Sequence, residues 1–137
     1  MAKLLILAWN LAHQVKVRPI PADLVEVILT TGAETVLFNE YVDAPSREPF
    51  KAAMREAGYR WQAVSETPAR HNQIFAASKH AFEVGDLRPP QFDGSAISNF
   101  LHLKFADYPS EIVGLCAPIR ISAVWRRHRR SWPSREH

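Results

Sequence analysis

Two short, continuously apolar runs separated by one amphipathic stretch constrain this chain more than any other feature of its sequence. The first run, KLLILAW, covers residues 3–9, and the second, TVLF, covers residues 35–38. Such runs are typical of strands that are covered on both faces. Between them, residues 21–31 begin with a proline, carry an i, i+4 apolar stripe and end at Gly32, which predicts a helix. A strand–helix–strand order predicts parallel strands whose carboxyl ends share one edge of a sheet.

The remainder of the chain predicts one more helix and then a series of strands. Ser46 is a suitable N-cap for a helix that ends before Gly58. After it, short β-prone runs alternate with turn residues, which favours antiparallel strands. These runs cover residues 59–64, 73–78, 81–84, 97–105 and 111–116. The sequence therefore predicts an α+β or layered α/β fold, in which strand–helix–strand–helix is followed by antiparallel strands.

Length and composition favour a small intracellular domain. The 137 residues suit one compact domain or a piece of a larger one. No apolar run approaches the roughly 18 residues that a membrane span needs, so we expect no membrane partner. Cys116 is the single cysteine, which excludes an intrachain disulfide and favours a reducing, cytoplasmic location.

The positive charge of the chain belongs to its last residues. Residues 1–119 hold 11 Lys and Arg against 13 Asp and Glu, whereas residues 120–137 hold six arginines against Glu136 alone. The segment ISAVWRRHRRSWPSREH follows neither the helical nor the strand period. We therefore place a domain in residues 1–118 and interpret residues 119–137 as a basic tail that is either disordered or not native to the fold.

Polar residues follow both predicted parallel strands. Asn10 ends the first strand and Glu40 ends the second. Open α/β sheets bind ligands at the carboxyl edge of their strands, and a carboxylate beside an amide offers the oxygen ligands that Mg²⁺ prefers. The alternative interpretation is that both residues serve only as turn residues or helix caps.

The order and spacing of several short motifs resemble those of the endonuclease/exonuclease/phosphatase superfamily. The resemblance rests on LLILAWNLAH at the start, GAETVLFNEY about thirty residues later, NQIFAAS at 72–78, and then SNFLHLKF and EIVGLCAP. It spans about residues 3 to 118. It implies the first half of an α/β/β/α sandwich, and therefore an incomplete one.

The resemblance also implies a metal-dependent phosphoesterase that uses Mg²⁺ or Mn²⁺. Glu40 matches the acidic metal ligand of the family, and Asn10 matches the asparagine that helps to hold the metal or the attacking water. Asn39 stands where many members have glutamine, and Ala12 stands where some nuclease members carry an acidic residue. The implied substrate is a phosphate ester, with nucleic acid as one candidate, attacked in line by water.

Four further residues are candidates for substrate binding. Arg70, His71 and Asn72 precede a predicted strand, and an arginine is well shaped to bind phosphate. His13 lies just beyond Asn10 on the same predicted edge. The alternative is that all four are solvated loop residues. His102 alternates outward on its predicted strand beside Lys104, which predicts a surface position.

Later parts of the family pattern are missing from this chain. We find neither the Gly-Asp-Phe-Asn-like motif nor the C-terminal Asp-His pair of the family. We therefore expect a truncated chain, with a shifted reading frame after about residue 116 as one explanation. A half fold would leave the apolar face of Leu101, Leu103 and Phe105 without a cover, which predicts self-association.

Two functions from different classes remain open on the sequence alone. The first is a metal-dependent phosphoesterase that is inactive until other groups complete it. The second is a non-catalytic fragment or module whose basic tail binds nucleic acid through arginine and tryptophan.

Overall fold

The computed structural model describes residues 3–12, 19–66, 72–88 and 99–116. Within these ranges two α-helices and seven strands follow one another in the order that the sequence predicts. In chain order they are β1 (Ile6–Asn10), α1 (Asp23–Thr31), β2 (Thr35–Tyr41), a 3₁₀ turn (Pro45–Arg47), α2 (Glu48–Glu56), β3 (Trp61–Val64), β4 (Gln73–Ser78), β5 (Phe82–Val84), β6 (Asn99–Phe105) and β7 (Glu111–Cys116).

The first sheet contains four strands in the order β1-β2-β4-β3. β1 and β2 are parallel, as their connection through α1 predicts, whereas β4 is antiparallel to both β2 and β3. The carboxyl ends of β1, β2 and β3 and the amino end of β4 therefore lie at one edge, which we call the functional edge.

Both helices cover the same face of the first sheet. Val25 and Ile28 of α1 and Phe50 and Met54 of α2 are buried there. α1 ends at Gly32, whose φ of 70° belongs to the left-handed region that a residue without Cβ adopts at little cost. Leu29 of α1 is also apolar, but it is 43% exposed because it falls on the outer side of the helix.

The second sheet, β5-β6-β7, packs on the other face of the first sheet. The core between the sheets contains Leu37, Ile74 and Ala76 from the first sheet and Leu101, Leu103 and Phe105 from the second. The described residues therefore form three layers, helices on a sheet on a sheet, which confirms the predicted layered α/β fold.

The prediction of an uncovered face at Leu101, Leu103 and Phe105 is wrong. These side chains are 3%, 0% and 8% exposed because the first sheet covers them. The self-association expected through that face therefore loses its basis. On the outer face of the second sheet, Val113 and Leu115 are exposed.

Three local expectations are also wrong. β1 is an edge strand of the described sheet, and Ile6 is 42% exposed, because no described strand of the second sheet lies over it. His102 is buried, at 3% exposed, because residues 85–88 fold over its ring. Ser46 lies within the 3₁₀ turn, and Arg47 occupies the N-cap position of α2 without a side-chain cap.

Polar side chains make contacts within the first sheet and to the second sheet at the edge opposite the functional edge. Thr35 and Ser78 share a 2.7 Å hydrogen bond between β2 and β4. His80 Nε2 lies 3.0 Å from Glu34 Oε1 and 3.4 Å from the hydroxyl of Tyr108, which belongs to the β6–β7 turn. The hydrogen bond from His80, followed by the bond from the Leu5 amide, lowers the pKa of Glu34.

No helix in the described part of the chain is long and apolar enough to cross a membrane. The predicted domain boundary at residue 118 and the basic tail at 119–137 lie outside the described residues, so they remain predictions.

Phe75 is the side chain whose removal should test the helix-side core most directly. Its ring is fully buried and lies 5.0 Å from Tyr41, 5.7 Å from Phe38 and 6.1 Å from Phe50 between ring centroids. Phe75→Ala should lower the free energy of unfolding by about 3–5 kcal/mol in urea titrations. Val27→Ala, on the exposed side of α1, should change it by less than about 0.5 kcal/mol. Equal effects of the two substitutions would contradict this packing.

Candidate active-site edge

A single row of residues crosses all four strands of the first sheet at its functional edge. Asn10 pairs with Asn39, and the Leu11 amide donates to the Asn39 carbonyl at 3.0 Å. On the other side of β2, Ile74 of β4 lies level with this position, and the Ser65 amide after β3 donates to the Ile74 carbonyl at 2.9 Å. The backbone register therefore places Asn10 and Glu40 on adjacent strand ends.

β2 contains one extra residue where it reaches this row. Phe38 pairs with Phe75 and Tyr41 pairs with Gln73, so Asn39 and Glu40 together face Ile74. Phe38 and Tyr41 both lie in the helix-side core although they are three residues apart. In a regular strand, side chains alternate between the two faces of the sheet. Because of this β-bulge, Glu40 does not follow the alternation, and Tyr41 is the next residue after Phe38 that packs in the helix-side core.

Glu40 has a backbone conformation that is costly for its residue type. Its φ is 56°, in the left-handed region that residues with a Cβ rarely adopt. Non-glycine residues held in this region are concentrated at ligand sites, where the surrounding structure holds them in place. The strain therefore points independently to the residue that the sequence pattern selects.

Asn10 ends β1 on its exposed side and organises the following turn. Its Oδ1 accepts a 2.6 Å hydrogen bond from the amide of Ala12, which itself has a φ of 53°. A carbonyl oxygen has two lone pairs, so Oδ1 can accept this bond and still offer the second pair to a cation or a water. The turn thus fixes the orientation of the side chain at the sheet edge.

A hydrogen-bonded network supports the bulge from the segment that follows it. The Tyr41 hydroxyl donates to Asp43 Oδ1 at 2.8 Å, and Lys51 Nζ lies 2.8 Å from the same oxygen. The Asp43 amide donates to Gln73 Oε1 at 2.7 Å, and Gln73 Nε2 donates to the Ser65 carbonyl at 3.0 Å. This network joins the carboxyl ends of β2 and β3 to the amino end of β4, next to the bulge that contains Glu40.

The network shifts the pKa values of its members. Burial alone would raise the pKa of Asp43, but the hydrogen bonds from Lys51 and Tyr41 outweigh it and the pKa is lowered. Burial, followed by the hydrogen bond to Asp43, raises the pKa of Tyr41. Arg47 is also buried here, and its Nε donates to the Val42 carbonyl at 3.1 Å. Burial lowers the pKa of its guanidinium.

The structure places only some of the predicted substrate-binding residues. Asn72 precedes β4 at the functional edge, and it is half-buried. His13, Arg70 and His71 lie outside the described residues. Sequence patterns gave no indication of the supporting network, because Asp43, Lys51 and Gln73 are ordinary polar residues whose contacts arise only in the fold.

The donors at the functional edge fit a cation that requires few protein ligands. Among the described residues, no three His, Cys, Asp or Glu side chains form a group that could hold a metal ion. Glu40 and Asn10 supply one carboxylate and one amide oxygen. This set suits Mg²⁺ or Mn²⁺, whose remaining ligands are waters and substrate phosphate oxygens, better than a closed zinc site.

A comparison of folds agrees with the layered α/β architecture. No protein-family model matches the chain, and no curated protein matches it. A solved structure with a similar fold is that of truncated TDP2 from Caenorhabditis elegans, with a TM-score of 0.57 and 13% sequence identity. At this identity the likeness shows a similar fold only, so the superfamily that the motifs resemble remains a proposal. The alignment covers 90% of this chain and 49% of that one, so the chain spans about half the length of the TDP2 structure.

The strain at Glu40 can be measured by comparing two substitutions at the same position. Glu40→Gly should be more stable than Glu40→Ala by about 1 kcal/mol, because glycine adopts a positive φ without the steric cost of a Cβ. Both variants remove the same side chain, so its other contacts cancel in the comparison. Ala63→Gly in β3 is the control and should be destabilising, since Ala63 is not among the described residues with positive φ. Chemical denaturation gives all three values, and a less stable Glu40→Gly would refute the strain.

Asp43→Asn should remove part of the acid sensitivity of the fold. Because the pKa of Asp43 is lowered on folding, its carboxylate stabilises the protein above the ordinary value of 3.8. That contribution is lost as the pH falls through the lowered pKa. The Asp43 side chain is 40% exposed, so we expect a loss below about 1 kcal/mol at pH 7. Urea unfolding at pH 7 and at pH 3 should show a smaller difference between wild type and variant at the lower pH, and a constant difference would count against the network.

Proposed function

We propose that this chain contributes the metal-holding half of a phosphoesterase site that hydrolyses phosphate esters with Mg²⁺ or Mn²⁺. The observation that supports the proposal is the bulge in β2, which contains Glu40 at the end of the strand that pairs with the end of β1 at Asn10. The motifs that resemble the superfamily support the same proposal, and the similar fold of truncated TDP2 is consistent with it.

The alternative that Asn10 and Glu40 are ordinary turn residues accounts for less of the geometry. An Asx turn explains the bond from Ala12 to Asn10. It does not explain why a glutamate occupies a positive-φ bulge position that glycine or asparagine would occupy with less strain. The network of Tyr41, Asp43 and Gln73 holds that bulge in place, as a site that requires a fixed carboxylate needs.

The two residues have separate roles in the proposed reaction. Glu40 holds the cation at the sheet edge through its carboxylate, and Asn10 orients the attacking water or a phosphate oxygen through its amide. The bound cation would neutralise charge on the transferring phosphoryl group. The bulge and the Asx turn hold both side chains in place, which reduces the reorganisation needed at the moment of reaction.

The proposed site still requires a general base and further charge-stabilising groups. The sequence contains neither the Gly-Asp-Phe-Asn-like motif nor the Asp-His pair that supplies these groups in the superfamily. Loss of a general base alone lowers rates by about 10²–10⁴-fold. We therefore expect cation binding by this chain to be readily detected and its hydrolytic activity to be low unless another polypeptide completes the site.

Cation binding is the most direct test. Mn²⁺ titration followed by electron paramagnetic resonance should detect a site in the full chain, and Glu40→Gln should weaken it by roughly tenfold or more, because loss of groups that merely orient ligands already costs 10- to 100-fold. Glu56→Gln, at the exposed end of α2, is the matched control and should leave the affinity unchanged.

A second measurement links the cation to hydrolysis. Any Mg²⁺-dependent cleavage of bis-p-nitrophenyl phosphate should disappear in Glu40→Gln and persist in Glu56→Gln. If wild type and Glu40→Gln bind Mn²⁺ equally, the proposed site is wrong. Binding of DNA without cation binding, lost on removal of residues 120–137, would instead favour the nucleic-acid-binding module.

A further inference from the structure

β1 has one side on which no described strand pairs with it. On its other side, the Leu5 carbonyl accepts a hydrogen bond from the first amide of β2 at 3.2 Å, and the Leu11 amide donates to a β2 carbonyl at 3.0 Å. In a parallel pair, the backbone groups of alternate residues point to opposite sides of the strand. The N–H and C=O groups of Ile6, Ala8 and Asn10 are therefore directed toward the unpaired side.

This edge lacks the features that usually prevent strand pairing. Edge strands of soluble proteins are commonly short, or they carry a charge, a proline or a bulge, because an open row of backbone groups otherwise pairs with another chain. Residues 4–12, LLILAWNLA, contain no charge, no proline and no glycine, and β1 pairs with β2 in a regular register. Of the other edge strands, β3 and β5 have only four and three residues, and β7 begins at Glu111 and contains Gly114.

The helix-side face of β1 matches itself when a second β1 runs antiparallel to it. With Ala8 on a two-fold axis, Leu5 lies opposite Leu11 of the other copy, and Leu7 lies opposite Trp9. All four of these side chains are apolar, and Leu5 is 42% exposed in the single chain. Cross-strand pairs of aromatic and aliphatic side chains stabilise antiparallel strands.

The opposite face of β1 also accepts this alignment. Ala8 of one copy lies opposite Ala8 of the other, and Ile6 lies opposite Asn10, so no charge faces another charge. The three side chains are exposed in the single chain. Their backbone groups point to the unpaired side, so each of these opposed pairs is of the hydrogen-bonded type, and the joint forms about six backbone hydrogen bonds between the copies.

We propose that two copies of this chain associate through β1, antiparallel about a two-fold axis at Ala8. The pairing joins both first sheets into one sheet in the order β3-β4-β2-β1-β1-β2-β4-β3. Its outer edges are the short β3 strands, so association ends at the dimer. A joint of this length is small beside the roughly 1,200–2,000 Å² of stable complexes, so the dimer forms reversibly. The inference does not depend on the proposed phosphoesterase function.

Charge substitutions at the axis test both the interface and its symmetry. Sedimentation velocity of the full chain at rising protein concentration should show a monomer–dimer equilibrium. Ala8→Glu and Ala8→Lys each bring like charges together at the axis and should weaken dimerisation by roughly tenfold or more. An equimolar mixture of the two variants should restore the dimer, because opposite charges then meet. Val113→Glu, which adds the same charge at an exposed position of the second sheet, should leave dimerisation unchanged.

Hydrogen exchange on the wild-type chain tests the same interface without any substitution. The amides of Ile6 and Ala8 point to the unpaired side of β1, so their exchange, followed by nuclear magnetic resonance, should slow as the protein concentration rises. The amide of Leu7, which points toward β2, is the internal control and should change much less.

Several outcomes would overturn the proposed dimer. These are a wild-type chain that stays monomeric at every concentration, or an Ala8→Glu variant that dimerises as strongly as wild type. A mixture of the two Ala8 variants that stays monomeric would exclude the two-fold alignment at Ala8. An equal loss of dimer in Val113→Glu would instead place the interface on the second sheet. Slow exchange of Ile6 and Ala8 in a monomer, at all concentrations, would show that another segment of the same chain occupies this edge.

Discussion

The pairing of β2 with β4, interrupted by a single extra residue, determines most of this structure. β2 is the only described strand that pairs with both a parallel and an antiparallel neighbour, and both faces of its first four residues are buried. A one-residue change of register would move each of these side chains to the opposite face. Because the bulge adds one residue to β2, Tyr41 lies in the helix-side core and Glu40 lies at the functional edge.

The two edges of the first sheet differ in what their polar side chains contact. At the edge opposite Glu40, Thr35 and Ser78 bond to each other, and His80 connects Glu34 to Tyr108 of the second sheet. The first contact joins β2 to β4 within the first sheet, and the contact of His80 with Tyr108 joins the first sheet to the second. At the functional edge the polar contacts are made by Tyr41, Asp43 and Gln73, next to the bulge in β2. They hold the backbone of the bulge, whereas Asn10 at the end of β1 is exposed. A fixed backbone at the strand ends is a feature that the proposed cation site would require.

The sequence predicts features that are set by local pattern and fails where distant segments decide. The carboxyl end of α1 follows from Gly32, and the parallel pairing of β1 with β2 follows from the strand–helix–strand order. The burial of His102 could not be predicted, because alternation on β6 gives only its side of the strand, whereas the loop at Gly85 and Leu87 decides whether that side is covered.

The same reasoning explains the misassigned apolar surfaces. KLLILAW has the composition of a central strand, yet β1 lies at the edge of the described sheet because no other described strand pairs with its free side. The sequence predicts no cover for Leu101 and Leu103 because half of a sandwich was expected to lack the partner sheet. In the structure, Leu37 and Ile74 from distant parts of the sequence supply that cover. The sequence pattern selects Asn10 and Glu40 as candidate site residues. It does not predict the bulge, because the bulge is recognised only from the pairing of β2 with β4.

The unequal widths of the two sheets bear on how the proposed site could be completed. The first sheet has four strands and the second three, and the second packs over β2 and β4, so the inward face of β1 at Ile6 and Ala8 is exposed. Asn10 ends the same exposed face of β1. If another polypeptide supplies the general base of the proposed site, this exposed face of β1 is open to it.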